Sequence, residues 1–180
     1  MKNTVILKWN PAISSYSMGR FLNDIVSRNA ESDWSIWEYE HVHKGDIFYM
    51  LKVGLGQTGI VMRGKITSDP EPGEDWSRQG RKVCYSNYTA EIMINPDTLP
   101  LLSSNMLRDS IPGFDWFAGH SGVVLDKKQS EILNNVWEEY LQKNKAEFLS
   151  RLELIECRDL LNDQLYLAPA LVKVIRRDNR

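Results

Sequence analysis

Residues 45–67 read GDIFYMLKVGLGQTGIVMRGKIT, and this stretch decides the fold. Residues 47–53 are apolar enough to form a largely buried strand. Residues 54–59 are a glycine-rich turn. From residue 59 to 67, Ile60, Met62, Gly64 and Ile66 alternate with Val61, Arg63, Lys65 and Thr67, which is the two-residue period of a strand. Two strands joined by a short glycine loop make an antiparallel hairpin. The loop also matches G-x-G-x-x-G through Gly54, Gly56 and Gly59. A dinucleotide site of that form needs a helix next, because the helix N-terminus supplies amides to the pyrophosphate. Here Ile60-Val61-Met62 continues as a strand, so the loop is read as a hairpin turn and no cofactor is expected.

Upstream of the hairpin, residues 4–9 (TVILKW) read as a first strand, stopped by Asn10-Pro11. Ser14-Ser15 caps a helix expected over 16–28, with Met18, Phe21, Leu22, Ile25 and Val26 on one face. Residues 33–40 carry Trp34, Ile36, Trp37 and Tyr39 and are too β-like for a helix. Downstream, residues 68–80 form a long polar loop. Residues 83–95 form a long strand whose apolar positions change phase between Tyr85 and Tyr88, which predicts a bulge near Ser86-Asn87. Residues 99–107 read as a short helix or turn, 111–122 as a loop and 123–125 as a short strand. Asp126 with Gln129 makes a capping box for a helix over 126–142, whose inner stripe includes Ile132, Leu133, Val136 and Trp137. Helix continues or restarts through Phe148, Leu149, Leu152 and Ile155, and residues 166–175 are expected to be a last strand. The fold class is therefore α+β: a small, curled, mainly antiparallel barrel with flanking helices. Residues 1–145 form the domain, and residues 146–180 form a helical extension and tail packed on it.

With 180 residues, 42% of them hydrophobic, the chain suits one domain with a real core. A net charge of −2 gives no whole-chain sign of a nucleic-acid binder, although a local patch suffices to hold phosphate. Lys173, Arg176, Arg177 and Arg180 read as a solvated end. No stretch approaches a membrane span, and the first residues read as a strand rather than a secretory leader. A cytoplasmic location is expected, with Cys84 and Cys157 reduced.

Several motifs fall short of chemistry. Gly119-His120-Ser121-Gly122 comes near a nucleophile elbow, but Val123 stands where the last glycine belongs. His41 and His43 beside Asp46 supply too few ligands for zinc and read as surface histidines at a turn. Carboxylate pairs such as Glu138/Glu139 lie on solvated faces. No metal-ligand set appears, which disfavours a nuclease or phosphoesterase. The chain is read as a binding module and not an enzyme.

What stands out is aromatic: six Trp, seven Tyr and five Phe. Trp34, Trp37, Tyr49, Tyr85, Tyr88, Trp116 and Phe117 gather around turns and strand ends. Trp116 lies in a Gly/Asp-rich loop between Gly113 and Gly122, a poor place for a core residue and a good one for a ligand wall.

The order of these features resembles the PUA-like superfamily. It comes nearest to EVE-type domains and the base-reading domains of modification-dependent restriction systems. The residues that carry it are Trp9-Asn10-Pro11 before a helix, then Trp34 and Trp37, Gly45-Asp46-Ile47 with Tyr49, and the Gly59–Ile66 strand. A Val83-x-Tyr85 strand, Trp116, Ser121-Gly122 and a helix with Trp137 follow. The resemblance spans residues 3–141 and rests on their order. It implies a module that holds a base, modified and flipped out of DNA or RNA, in an aromatic cage. By position it makes Trp34, Trp37 and Trp116 the cage wall and Ser121-Gly122 the polar contact, a hydroxyl beside an accessible amide. Arg63, Lys65, Arg78, Arg81 and Lys82 on one rim would then meet the nucleic-acid backbone. A neutral or acidic rim would instead favour a PUA-like small-molecule or protein-interaction domain with no nucleic acid.

Overall fold

The computed structural model describes residues 2–156 and 165–177. Its centre is the hairpin: strand β3 (Ile47–Lys52) runs antiparallel to β4 (Gly59–Ile66). Strand β1 (Thr4–Trp9) lies on the other side of β3 and is parallel to it, Thr4 opposite Ile47 and Trp9 opposite Lys52. β4 pairs with the long β6 (Val83–Ile94), which pairs in turn with β2 (Glu31–Ile36). Four short strands complete the sheet: β5 (Glu71–Gly73) and β9 (Leu165–Leu167) on β6, β7 (Leu102–Ser103) on β4, and β8 (Val123–Val124) on β1. The main path is β2-β6-β4-β3-β1-β8, so the sheet is mixed but mainly antiparallel, as expected.

Backbone hydrogen bonds join the two ends of that path. The Trp37 and Glu38 amides, just beyond β2, donate to the carbonyls of Ser121 and Gly122, just before β8, at 2.9 Å each. These bonds curl the sheet into a barrel. Gly122 makes the closure possible: its φ is +78°, and a Cβ there would lie 2.5 Å from Ile36 Cα. Within the barrel, Gly64 lets β4 cross β6, since a Cβ there would lie 2.1 Å from the Thr89 carbonyl oxygen.

Among the described residues, four helices flank the sheet. α1 (Met18–Ser27) packs Phe21 and Ile25 into the core. Its cap is Ser17, whose hydroxyl accepts from the Arg20 amide at 3.1 Å, rather than Ser14-Ser15. Ser14 instead makes a turn by accepting from the Tyr16 amide. α2 is Ser104–Ser110 and α3 is Lys127–Glu156, one continuous helix. The Asp126/Gln129 capping box forms in both directions at 2.8 and 3.1 Å. α4 (Pro169–Arg177) replaces most of the strand expected over 166–175. Proline at the first helical position has no amide to lose, so Pro169 starts a helix here. Lys173, Arg176 and Arg177 belong to this helix and not to a solvated tail, while Cys157 and Arg180 lie outside the described residues.

β6 also differs from its sequence reading. Cys84, Ser86, Tyr88, Ala90, Ile92 and Ile94 are all buried, so the strand keeps one phase through residues 86 and 87. Val83 and Tyr85 face the other way. Tyr85 packs over Gly73, and its hydroxyl donates to the Glu74 carbonyl at 2.6 Å. The register shift lies further on, where Arg63 faces Ile92 and Gly64 faces Ala90, leaving Glu91 as the extra residue. The bulge aims Glu91 at β4, where its carboxylate accepts from Arg63 and from Lys65.

Candidate functional site

The barrel seam gathers several of the residues singled out above. The Ser121 hydroxyl oxygen accepts two hydrogen bonds of 2.8 Å, from the Lys8 amide and the Trp34 indole N–H. Trp34 is half-buried and meets the Tyr16 ring edge-on at 5.9 Å and 81°. Tyr16 in turn donates from its hydroxyl to buried Asp24 at 2.7 Å. Burial, then the neighbouring Tyr88 and Asp24, hold the Tyr16 phenol far above its ordinary pKa, so it stays a neutral donor. Lys8 sends its ammonium to the Ala118 carbonyl and over the Phe114 ring. Burial lowers its pKa, and Asp115 opposes that shift.

Two residues assigned to the cage are structural. Trp116 is fully buried, its indole N–H bound to the Ile111 carbonyl at 3.0 Å and its ring tilted against Phe114. It is a core residue and no ligand wall. Gly122 is buried as well, and its amide donates to the Ile6 carbonyl at 2.9 Å, so that amide is not open to a ligand. Trp37 is the reverse: 57% exposed, it lies parallel to the His120 imidazole, with 3.6 Å between centroids.

One concave feature involves the turn that leads into Tyr16. A groove of about 590 Å³ runs between residues 13–15, in the turn from β1 to α1, and residues 76–79, in the loop from β5 to β6. Ligand sites commonly fall between about 300 and 1,000 Å³. Trp76, 44% exposed, is the groove's aromatic wall, and Ser14, Ser15, Ser77 and Gln79 add polar groups. One carboxylate organises this wall. Asp75 Oδ1 accepts from the Ser77 amide and hydroxyl at 3.0 and 2.7 Å. Asp75 Oδ2 accepts from the Gln79 and Arg81 amides at 3.0 and 3.1 Å. The Arg81 guanidinium closes the ring at 3.3 Å. Arg81 first, and Ser77 second, hold the Asp75 carboxyl well below the usual carboxylate range. The sequence reading passed over Trp76 inside a polar loop. Its signal was Asp75-Trp76-Ser77, an Asp able to bond the backbone two residues on, carrying a lone tryptophan.

The basic residues divide. Arg63 and Lys65 share Glu91, and the Arg63 guanidinium sits 5.7 Å from the Tyr49 ring centroid. Arg78, Arg81 and Lys82 ride on the groove loop. Arg81 is tied to Asp75, whereas Arg78 and Lys82 make no ion pair among the described residues. Lys82 holds its ammonium 5.4 Å from the Tyr39 ring centroid.

The remaining motifs have structural roles. Asp46 accepts from the Asn3 and His43 amides at 2.8 Å each, so both oxygens serve the backbone. In the 54–59 loop, the buried Lys52 ammonium donates to the carbonyls of Leu55 and Gln57 at 2.7 and 3.0 Å. Burial lowers its pKa.

No family model matches the sequence. No curated protein matches it either. Solved structures with TM-scores of 0.50 and above share the fold. A hypothetical protein from Leishmania major superposes with a TM-score of 0.53 at 11% identity, covering 78% of this chain and 98% of that one. A protein from Pseudomonas putida gives 0.50 at 12% identity, covering 74% and 98%. The YTH domain of Mmi1, solved with RNA, gives 0.46 at 10% identity, covering 79% and 82%.

Proposed function

We propose that this chain is a non-catalytic nucleic-acid-binding module of the PUA-like, EVE-type kind, which takes one base, modified and unstacked, into the groove beside Trp76. The observation that carries this reading is the groove itself. An exposed indole forms one wall of a space that fits a small ligand, Ser14, Ser15 and Gln79 offer hydrogen bonds to a base edge, and Arg78, which makes no ion pair among the described residues, lines the groove as well. A base outside a helix needs a π face to replace the stacking it lost, and one such contact contributes about 1–3 kcal/mol. The phosphate beside it needs a cation or an amide.

The test is direct. Oligonucleotides with and without modified bases are titrated at low salt while tryptophan fluorescence is followed. Trp76→Ala should weaken binding by about 5- to 150-fold, the equivalent of one lost stack. Its melting temperature should stay near wild type, because the ring is a loop wall and not core. Wild-type protein that binds no oligonucleotide, or Trp76→Ala that binds as tightly as wild type, would sink the reading.

A further inference from the structure

The barrel end beyond β1 and β3 is formed by three adjoining segments: the turn from β1 to α1, the hairpin turn between β3 and β4, and the connection from β6 to α2. The Val53 amide donates to the Trp9 carbonyl at 2.8 Å, and Gly54 lies so near Asn10 that a Cβ there would meet its Oδ1 at 2.8 Å. On the other flank the Gln57 side chain donates to the Pro96 carbonyl at 2.8 Å and accepts from the Leu101 amide at 3.2 Å. The Ser104 amide, at the start of α2, donates to the Thr58 carbonyl at 3.1 Å. The hairpin turn is thus the middle of a continuous surface.

Charge is what this surface lacks. Asp, Glu, Lys and Arg make up 26% of the chain, yet residues 9–19 and 53–62 hold none, and residues 95–107 hold only Asp97. Apolar side chains stand out from it. Leu55 and Ile13, 89% and 71% exposed, are the two most exposed large apolar side chains among the described residues, and Met106 is 46% exposed. Leu55 is also held in place. Gly54 and Gly56 on either side of it have φ of +89° and +78°, and the buried Lys52 ammonium binds the carbonyls of Leu55 and Gln57. A turn fixed in this way presents its tip without the ordering cost that a flexible loop incurs on contact.

Depletion of charge distinguishes the centre of a protein interface better than hydrophobicity alone. One side of a standard interface takes about 20–30 residues, and residues 10–17, 54–58 and 95–106 together are of that order. Neutrality also selects the partner. The outer side of α4 carries Lys173 and Arg177, both exposed, and a second copy would bring the same sign against them. The neutral end meets its own copy with no such repulsion, and a two-fold contact uses each protruding side chain twice.

We propose that this end of the barrel is a homodimer interface, centred on Leu55 and occupied by a second copy of this chain. The inference does not depend on the base-binding reading of the groove.

Sedimentation velocity of the full chain, from about 1 µM to about 1 mM, tests it. Wild-type protein should pass from monomer to dimer within that range. Leu55→Asp should raise the dimer dissociation constant about 100-fold or more, because it sets like charges against each other where no cation offsets them. Met106→Asp, in a different segment of the same surface, should weaken the dimer as well. Both side chains are exposed, so the melting temperatures of the two variants should match that of dilute, monomeric wild type. Val174→Asp, at a 55% exposed position on α4, should dimerise like wild type. Wild-type protein that stays monomeric throughout the range overturns the proposal and leaves the surface to a different protein. A folded Leu55→Asp that dimerises as tightly as wild type also overturns it, as does a Val174→Asp that loses the dimer to the same degree, since association would then run through another face.

Discussion

The seam and the groove loop both carry a tryptophan next to a serine or glycine, yet they are built in opposite ways. At the seam, residues distant in sequence meet. Ser121 binds Lys8 and Trp34, and Gly122 binds Ile6 and Glu38. In the groove loop the bonds are short-range: the Asp75 carboxylate accepts from residues 77, 79 and 81, its carbonyl accepts from the Arg78 amide, and Tyr85 ties residues 74 and 76 to β6. The seam consumes its polar groups in closing the barrel, whereas the loop organises itself and leaves its ring and one arginine outside. The groove proposed above as the binding site is thus built on a loop and not on the packed seam.

The contrast is broken most directly by exchanging the roles of two tryptophans. Trp116→Ala should destabilise the protein by about 3–5 kcal/mol, the usual cost of emptying a buried aromatic site. Trp76→Ala should stay within about 0.5 kcal/mol of wild type. Urea unfolding midpoints decide it, and a Trp116→Ala protein as stable as wild type would return that residue to the surface.

A smaller effect is expected at the seam hydroxyl. Ser121→Ala leaves the Lys8 amide and Trp34 indole without their acceptor and should cost about 1–3 kcal/mol. Should the unfolding curve not move, water replaces the hydroxyl and the seam is less dry than its geometry indicates.

The smallest effect concerns the groove loop and acid. The Asp75 carboxyl is lowered in the folded protein, so its contribution is complete above the unfolded carboxylate value of about 3.9 and is lost as pH falls through the lower folded value. Trp76 emission, read as the difference between wild type and Trp76→Phe, should hold steady from neutral pH to about 4 and change below it. Asp75→Asn should show the altered emission already at neutral pH, with little change in global stability. Identical emission for Asp75→Asn and wild type would mean that the loop keeps its shape without the carboxylate.

The hairpin over 45–67 was legible because two signals agreed there, an apolar run and a clean alternation around glycines. The long helix was legible from its capping box and stripe. Trp116 was not, because a Gly/Asp-rich stretch ordinarily lies on the surface; here it folds back so that the indole N–H donates to the Ile111 carbonyl five residues earlier and the ring is buried. Val83 and Tyr85 misled in the opposite sense. Both are half-buried on the other face, Tyr85 against Gly73 with its hydroxyl on the Glu74 carbonyl, while the polar Ser86 points inward. The 166–175 segment was misread because β-branched residues follow Pro169, and the proline's suitability for a first helical turn outweighed them. Of the cage, Trp34 and Ser121 do meet. The groove wall at Trp76 was hidden by the acidity and prolines around it.

The seam has a consequence for how copies of this protein meet one another. A sheet that stops short of closure offers its outermost strands as templates for strands from other molecules. Here the bonds from Trp37 and Glu38 to Ser121 and Gly122 stitch the two flanks together. The stretch of β2 before the stitch carries Glu31 and Asp33, both exposed, along its open side. A strand arriving from a second copy would bring the same two charges against them, so the edge that the barrel leaves unstitched repels its own kind.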